Sequence, residues 1–352
     1  MSDIDIRIDG RAGRITLTRP QALNALTHAM LNAIAAALEK WRADPGVALV
    51  IIDAEGKRAF CSGGDIAQMY ASGRAGNYSY GRAFWRDEYR LNAMIRQYAK
   101  PVITLMQGYT MGGGVGIGCH ASHRVVGETS RIALPECSIG LVPDVGSTLL
   151  LATAPGSLGA YLGLTGTRLG PGDAIHTGFA DHFLPESRWP QVVGALVHSG
   201  DPRRLTALCA APPPATLPAH QAAITGVFSA TTLPDLLHRL DRAPGNGALP
   251  GDWAAPARTA LQGCSPLSLA ATLAILTIVR RDPRLSTALD MEFRFTSRAA
   301  EHGDFLEGIR ARIIDKDNSP HWRHASAADV SAADVAAMLA PIPEPQPQES
   351  IP

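Results

Sequence analysis

The sequence predicts a fold of the α/β or α+β class, in which helices pack on a sheet. Residues 4–8 and 14–18 alternate apolar and polar side chains on either side of a glycine turn, which is typical of a β-hairpin. Residues 47–52 form a continuous apolar run between turn residues, as strands buried on both faces do. Strands that alternate with helices in this way fold as a sheet covered by helices.

The remaining elements of the first half follow in order along the chain. Thr27 is a good N-cap, and apolar side chains then recur at helical spacing over residues 30–41. A second cycle follows, with a long helix over about 80–97 and a strand over 101–107. Another helix emerges from the glycine-rich residues 112–118. These elements repeat a strand, strand, helix unit.

The composition changes after about residue 185. Ala, Leu and Pro dominate residues 192–263, strand patterns fade, and Ser265 followed by proline marks the start of an apolar helix. The last residues are rich in proline and poor in apolar side chains, which is typical of disorder. The sequence therefore predicts a catalytic core over 1–190, a helical C-terminal region over 191–340 and a disordered tail over 341–352.

Bulk composition narrows the classes of function and the compartment. The 352 residues carry a formal net charge of zero, which argues against a broad surface for nucleic acid or acidic membranes. The chain has no run of eighteen apolar residues, and its acidic start resembles neither an export signal nor a transit peptide. The five cysteines are scattered and odd in number, as in reduced cytoplasmic proteins. We therefore expect a cytoplasmic protein that acts on a small molecule, without nucleic acid or membrane partners.

Five glycines fall within residues 112–118, and three explanations compete for them. A phosphate site is disfavoured, because no register fits a dinucleotide fingerprint and no GK[ST] ending forms a P-loop. Close packing is possible, but consecutive glycines destabilise a helix start by about 1 kcal/mol each relative to alanine. An oxyanion hole would offset that cost, since bare backbone N–H groups can bind developing negative charge. A second glycine turn, at residues 60–65, could supply the other N–H.

Four motifs together resemble the enoyl-CoA hydratase/isomerase (crotonase) superfamily. They are Leu23-Asn-Ala-Leu26, Ala59-Phe-Cys-Ser-Gly-Gly-Asp65, Gly108-Tyr-Thr-Met-Gly-Gly-Gly114, and Leu134-Pro-Glu136 with Gly140. The resemblance implies an α/β fold, a crotonase-like spiral of ββα units with a helical C-terminal region that forms trimers. It also implies an acyl-CoA thioester as substrate and an oxyanion hole formed by the backbone amides of Gly64 and Gly113.

Within this superfamily the sequence resembles the branch of 3-hydroxyisobutyryl-CoA hydrolases. Hydratases share two glutamates. In this chain the second glutamate is present as Glu136, but Gly116 stands at the position of the first. Asp144 stands where hydratases usually carry glycine. Further stretches that match the branch are Phe84 to Asn92, Asp290 to Arg294, Gly303 to Ala311, Ile314 to Asp317 and Ser319 to Trp322. The departure at Gly116 favours thioester cleavage over addition of water to a double bond.

The acidic residues suit that chemistry. Glu136 would activate water or attack the acyl carbon itself, and the sequence leaves both routes open. Asp144 lies across a turn, so the two carboxyl groups can converge, which would raise at least one pKa. Glu88 falls on the glutamate that contacts substrate in the family and would accept a hydrogen bond from a 3-hydroxyl group. Further predicted substrate-binding residues are Ser62, Asp65 and Lys316, the last as a contact to the CoA phosphate.

Histidines and cysteines near the glycines have simpler interpretations. His120 and His123 have HxxH spacing, but no HExxH motif or third ligand accompanies them, so structural roles are favoured and no metal is predicted. Cys119 and Cys137 flank the predicted site, and a cysteine nucleophile paired with His120 is conceivable. Small apolar fillers are the favoured interpretation. No cofactor is expected beyond the CoA of the substrate.

Three functions follow, in order of preference. The first is hydrolysis of a short hydroxyacyl-CoA, 3-hydroxyisobutyryl-CoA in valine breakdown, which Gly116 and Asp144 favour. The second is an enoyl-CoA hydratase or isomerase, in which Glu136 would work alone or with Asp144. The third is an acyl-CoA-binding protein without catalysis. A homo-oligomer, trimer-based or dimeric, is expected, with the C-terminal helices closing over their own site or a neighbour's.

Overall fold

Two sheets form the framework of the protein, in a computed structural model that describes residues 3–243 and 253–342. Within those residues a six-stranded sheet runs in the order β1-β2-β3-β5-β7-β9, and a three-stranded sheet in the order β4-β6-β8. The strands are β1 (Ile4–Asp9), β2 (Ala12–Leu17), β3 (Leu49–Ala54), β4 (Ala59–Cys61), β5 (Val102–Met106), β6 (Tyr109–Met111), β7 (His123–Val126), β8 (Arg131–Ala133) and β9 (His182–Phe183). Only β1 and β2 pair antiparallel; the other ladders are parallel. The predicted hairpin is confirmed, and so is the α/β class.

Helices connect the strands in the first half of the chain. They are α1 (His28–Arg42), α2 (Ile66–Arg74), α3 (Ser79–Arg96), α4 (Gly113–Gly118), α5 (Ser147–Thr153), α6 (Leu158–Thr165) and α7 (Pro171–His176). The Thr27 side chain accepts a hydrogen bond from the Met30 N–H, as its predicted capping role requires. Helix α2 was not predicted, because it is short and has only two buried residues, Met69 and Gly73.

The C-terminal region is helical in its described part. Its helices are α8 (Trp189–Ser199), α9 (Arg203–Thr206), α10 (Gln221–Phe228), α11 (Leu233–Arg242), α12 (Ala254–Gln262), α13 (Pro266–Arg281), α14 (Leu285–His302), α15 (Phe305–Ile309) and α16 (Ala332–Met338). A π-helical turn covers Arg310–Ile314, and 3-10 turns cover Pro20–Ala22, Glu136–Ile139, Glu186–Arg188, Leu217–Ala219 and Ala327–Asp329. The Ser265 side chain caps α13, as predicted. The boundary near 190 stays a prediction, and the predicted tail lies outside the described residues from 343 onward.

The central strands of the six-stranded sheet are buried on both faces. Val50 and Ile52 of β3 belong to the larger hydrophobic cluster, which also contains core residues of α1, α3, α13 and α14. Leu49 and Ile51, on the opposite face of the same strand, belong to a second cluster with residues of α8. A strand covered on both sides needs apolar residues at consecutive positions, which explains the unbroken apolar run in the sequence.

Among the described residues no single helix has the length and apolar composition to cross a membrane. Helices α12 and α13 reach that length only as a pair, and they are bent by 118° where they meet.

Candidate active site

A cleft of about 100 Å³ lies where the three-stranded sheet meets α3 and α15. It brings together six of the predicted site residues: Ser62, Gly64, Glu88, Gly113, Glu136 and Asp144. Its remaining lining is mostly apolar and comes from Gly63, Ile66, Met69, Phe84, Trp85, Met111, Gly112, Pro135, Ile139, Leu141 and Phe305. Segments far apart in the sequence therefore meet in one small, largely apolar space that suits a short acyl group.

One side of the cleft is bare backbone, formed by Gly63, Gly64, Gly112 and Gly113, and is called the glycine wall below. Gly63 and Gly112 have φ values of +112° and +48°, a backbone conformation that residues with a Cβ rarely adopt. A Cβ on Gly113 would lie 3.4 Å from the Gly64 nitrogen, so the two amides are neighbours. Neither amide N–H has a hydrogen-bond acceptor within the described part of the chain. Two adjacent N–H groups are thus free to bind one oxygen atom.

The other glycines of the stretch serve close packing. A Cβ on Gly114 would lie 2.3 Å from the Cys61 carbonyl oxygen, and one on Gly118 would lie 2.7 Å from the Met106 sulfur. Both distances are shorter than any tolerable contact. The later glycines of the stretch therefore let α4 approach the strands, whereas the first ones border the cleft, where the oxyanion hole stays a prediction.

The opposite side of the cleft carries Glu88, Glu136 and Asp144, called the carboxyl wall below. Their exposed fractions are only 2%, 5% and 4%. Glu88 Oε1 and Glu136 Oε2 are buried without a hydrogen-bond partner among the described residues. Helix α3, the turn Glu136–Ile139 and the loop before α5 each hold one of the three. The predicted convergence of Glu136 and Asp144 is present, with Glu88 beside them.

Burial dominates the electrostatics of the carboxyl wall. It raises the pKa of Asp144 to about 7, against the hydrogen bond from Tyr89, which lowers it. Burial also raises the pKa values of Glu88 and Glu136 well above the usual range, and the charge of Asp144 raises both further. Like charges in an apolar cleft cannot all ionise together, so the wall retains protons at neutral pH.

Asp144 stands on a strained turn. Val145 has a φ of +56° and Gly146 a φ of +77°, and a β-branched residue in this region costs roughly 1–3 kcal/mol. The Tyr89 hydroxyl donates to Asp144 Oδ2 at 2.9 Å. His120 Nε2 donates to the Val145 carbonyl oxygen at 2.7 Å, since a carbonyl oxygen can only accept, and burial lowers the pKa of this histidine to about 4 and keeps it neutral. His120 thus supports the turn.

The position where hydratases carry their first glutamate is closed. A Cβ on Gly116 would lie 2.6 Å from the Asn92 side-chain nitrogen and 2.9 Å from the Val145 Cβ. Asn92 is fully buried, and both atoms of its amide lack partners among the described residues. A side chain at position 116 would therefore displace both Asn92 and the turn that carries Asp144.

The C-terminal region contributes to the cleft of its own chain. Phe305, at the start of α15, lines the cleft and packs against Trp85, with 5.4 Å between ring centroids. Of the two arrangements left open by the sequence, closure over the same chain's site is the one present. Phe305 and Tyr89 lie in stretches that matched the hydrolase branch, but the sequence pattern assigned neither a role.

Two predicted substrate-binding residues lie elsewhere. The Asp65 carboxylate forms an ion pair with Arg19 at 3.2 Å and is not part of the cleft lining. Lys316 lies on an exposed turn, with a φ of +58°. Both assignments stay predictions.

The sequence also raised the questions of a cysteine nucleophile and of a metal site. Cys119 and Cys137 are buried, and burial raises the pKa of Cys119 to about 12 and that of Cys137 well above its usual range. Neutral buried thiols fit the role of apolar fillers and are poor nucleophiles. Among the described residues no group of three or more His, Cys, Asp and Glu side chains is arranged to hold a metal ion.

Comparison with known proteins places this geometry in context. The chain matches the enoyl-CoA hydratase/isomerase family over residues 12–339. It is 34% identical to a Gallus gallus protein over 94% of this chain and 86% of the relative. It is 37% identical to a Danio rerio protein (92% and 85% covered) and 35% identical to a Homo sapiens protein (93% and 85% covered). All three relatives are named 3-hydroxyisobutyryl-CoA hydrolase, mitochondrial.

Two solved structures share nearly the whole fold. One, described as an enoyl-CoA hydratase from Rhodobacter sphaeroides, is 54% identical with a TM-score of 0.91, over 97% of this chain and 98% of that one. The other, described as a carnitinyl-CoA dehydratase from Mycobacterium thermoresistibile, is 37% identical with a TM-score of 0.92, over 98% of both chains.

Proposed function

We propose the reaction of this chain from one premise: the chain belongs to the enoyl-CoA hydratase/isomerase family. It is an acyl-CoA thioester hydrolase that cleaves a short hydroxyacyl-CoA, with 3-hydroxyisobutyryl-CoA, an intermediate of valine breakdown, as the preferred substrate. The relatives that carry this activity in their names span most of the chain at 34–37% identity. The predicted branch of the family is thus the one these relatives represent.

The observation that carries this function is the closed space at Gly116. Asn92 and Val145 fill the volume that a glutamate side chain there would need. The cleft instead draws its second acid from Asp144, on the strained turn. Addition of water to a double bond with two glutamates is therefore disfavoured, although the two similar solved structures are described as a hydratase and a dehydratase.

The first chemical step is attack on the thioester carbonyl carbon. The carbonyl oxygen accepts hydrogen bonds from the N–H groups of Gly64 and Gly113, which stabilise the negative charge that develops on it. One such donor typically contributes about 3–4 kcal/mol to lowering the barrier. Glu136 takes a proton from water as the water oxygen bonds to the carbon, because a carboxylate whose pKa is raised is a stronger base once ionised.

The second step breaks the bond between carbon and sulfur. The electron pair of the oxyanion returns to reform the carbonyl, and the CoA sulfur leaves as a thiolate that receives the proton held by the Glu136 and Asp144 pair. The products are a hydroxy acid and CoA. In the other route, Glu136 attacks directly and water then hydrolyses the mixed anhydride. Single turnover in ¹⁸O-labelled water identifies the anhydride route if water attacks the glutamyl carbonyl, because only that attack leaves label in Glu136.

Substrate recognition rests on residues around the acyl group and CoA. Glu88 keeps a proton through its burial and lies beside the hole, so it can exchange a hydrogen bond with a 3-hydroxyl group. Ser62 lines the cleft next to the glycine wall, where it contacts the thioester end of the ligand. Asp65, paired with Arg19, holds the turn of Gly64, and Lys316 contacts a CoA phosphate.

Cofactor, location and assembly complete the proposal. The chemistry needs water, two carboxyl groups and two amides, so CoA enters only as part of the substrate. A cytoplasmic location is proposed from the five scattered cysteines, although the relatives named above are mitochondrial, and cell fractionation would test it. A trimer-based or dimeric assembly follows from the family resemblance, and light scattering of the purified protein would test that.

A comparison of three thioesters tests the function. The purified protein is incubated with 3-hydroxyisobutyryl-CoA, 3-hydroxypropionyl-CoA and crotonyl-CoA, while free thiol and enoyl absorbance are recorded. Thiol release from the hydroxyacyl esters is expected, and it should fall sharply in Glu136→Gln measured in parallel. Loss of enoyl absorbance without thiol would instead establish a hydratase, and no change in either signal would establish binding alone.

A further inference from the structure

The loop that carries Asp144 is held from outside the cleft by a fourth buried acid. We propose that Glu292, on α14, is a positioning residue that keeps Asp144 in its catalytic orientation. This inference rests on the proposed function, since it assigns Asp144 a part in hydrolysis. Glu292 lies outside the cleft lining, so it reaches the reaction through the loop and through its charge, which raises the pKa of Glu136.

Glu292 accepts three hydrogen bonds from the loop immediately after Asp144, and this set of bonds is called the grip below. One carboxylate oxygen, Oε2, accepts the Gly146 N–H at 2.6 Å. The other, Oε1, accepts the Thr148 N–H at 3.0 Å and also the Thr148 hydroxyl. The side chain is fully buried, so water does not compete for these bonds. Three donors on one group define the path of the backbone from residue 146 to residue 148.

These hydrogen bonds require a side chain that accepts at both of its oxygens. All three partners donate, and a carboxylate has two oxygens that only accept. In a glutamine at this position, the side-chain NH₂ group would face the N–H of Gly146 or of Thr148. Two donors cannot bond to each other, so at least one hydrogen bond would be lost. Burial raises the pKa of Glu292 to about 8, while the hydrogen bonds from Thr148 and Gly146 favour its charged form.

The loop needs such a grip because its conformation is strained. Val145 and Gly146 both have positive φ values, which a free loop containing a valine would abandon. His120 binds the Val145 carbonyl from the other side. The strained residues therefore lie between a donor on one side and a carboxylate on the other, and Asp144 directly precedes them.

A second contact from α14 reaches Asp144 itself. Thr296 lies one helical turn after Glu292, and its hydroxyl is 3.3 Å from the Tyr89 hydroxyl. That same hydroxyl of Tyr89 donates to Asp144 Oδ2. Helix α14 thus contacts the backbone after Asp144 through Glu292 and the carboxyl group of Asp144 through Tyr89. A C-terminal helix thereby orients a side chain of the cleft.

The test combines activity with amide exchange in Glu292→Gln. In the free wild-type protein the Gly146 and Thr148 amide hydrogens should exchange slowly, and in the variant at least tenfold faster. For thiol release from 3-hydroxyisobutyryl-CoA, kcat should fall by about 10- to 100-fold, because a small misplacement of a catalytic group has an effect of that size. KM should stay within about twofold, since Glu292 makes no contact in the cleft.

Two companion variants make the result decisive. Thr148→Val removes only the hydroxyl donor, so it should lower kcat less than Glu292→Gln and in the same direction. Asp290→Asn, on the same helix but paired with Arg294 at 2.7 Å, should match wild type in both readouts. If Glu292→Gln fails to fold, Thr148→Val decides, and wild-type kcat together with wild-type exchange in that variant would overturn the proposal.

The outcomes separate this inference from the proposed function. Unchanged exchange at Gly146 and Thr148 in folded Glu292→Gln would refute the grip even where the protein hydrolyses thioesters. A wild-type protein that releases no thiol would refute the proposed function, while the exchange measurement still reports on the grip. Faster exchange together with a lower kcat and an unchanged KM supports both.

Discussion

The glycine wall and the carboxyl wall face each other across the cleft but are held in different ways. The turn of Gly63 is held by neighbours in the first motifs, for example through the Leu26 N–H, which donates to its carbonyl oxygen at 2.8 Å. The carboxyl wall depends on remote residues, because Glu292 binds Thr148 across 144 positions of the chain. Both walls join segments that are distant in sequence, but one is backbone held within the first half of the chain, and the other consists of side chains supported by a C-terminal helix.

This difference decides what each wall is sensitive to. Backbone amides do not titrate in the physiological range, so the glycine wall should respond to added volume but not to pH. The carboxyl wall should respond to pH and to changes of charge, since burial and mutual repulsion determine its protonation. Four changes test this contrast, taken here from the largest expected effect to the smallest.

Gly113→Ala should have the largest effect. The added Cβ would lie 2.4 Å from Glu88 Oε1 and 3.4 Å from the Gly64 nitrogen, in the space meant for the substrate oxygen. Thiol release should fall by about a thousandfold, near the upper range for loss of an oxyanion donor. Gly226→Ala is the matched control, because a Cβ there meets no atom within 4 Å. Activity of Gly113→Ala within tenfold of wild type would remove this amide from the mechanism.

Glu136→Gln and Asp144→Asn should each lower thiol release by about a hundredfold, as expected when a positioned acid-base group is lost. Both replacements preserve shape, and the amide oxygen that Asp144→Asn introduces can still accept from Tyr89. Steady-state kinetics on 3-hydroxyisobutyryl-CoA measure the effect, with circular dichroism to verify folding. A wild-type rate in either variant would exclude that residue from catalysis.

The pH dependence should come from the carboxyl wall alone. The reaction needs an ionised carboxylate, and burial raises the pKa of Asp144 to about 7, so kcat/KM should rise as pH increases through neutrality. Below that range the rate should fall about tenfold for each pH unit. Initial rates between pH 5.5 and 9 provide the profile. A rate that is flat across this range would contradict the assigned ionisation.

The smallest effect is on stability. The folded pKa of Asp144, about 7, exceeds its usual value of 3.8, so its favourable contribution is present at low pH and is lost as pH rises through 7. An asparagine at this position cannot ionise, so Asp144→Asn avoids the cost of burying a charge at high pH. The variant should raise the free energy of unfolding at pH 8 by on the order of 1–4 kcal/mol. Urea unfolding at pH 8 and pH 4 measures it, and an equal difference at both pH values would contradict this origin.

Much of the fold could be predicted from local patterns in the sequence, and so could some of the candidate site residues. Alternation, apolar runs and capping residues such as Thr27 predicted the hairpin, β3, α1 and α3, because those rules act between residues close in sequence. The family resemblance carried by the glycine turns and the Pro-Glu motif pointed to Gly64, Gly113 and Glu136, and their roles stay predictions. Helix α2 was not predicted, since its burial comes from contacts with distant elements rather than from its own periodicity.

The chain's own residues pointed to the family, to the amides of Gly64 and Gly113 and to a glycine at position 116, where hydratases carry a glutamate. The tertiary structure alone decided that Asn92 fills the space beside that glycine and that Tyr89 and Glu292 hold Asp144. It also decided that the carboxyl groups retain protons, because a pKa depends on burial and on neighbouring charges. Those neighbours come from separate segments, the most remote being Glu292, which lies 146 residues from Gly146, and no local pattern encodes their distance.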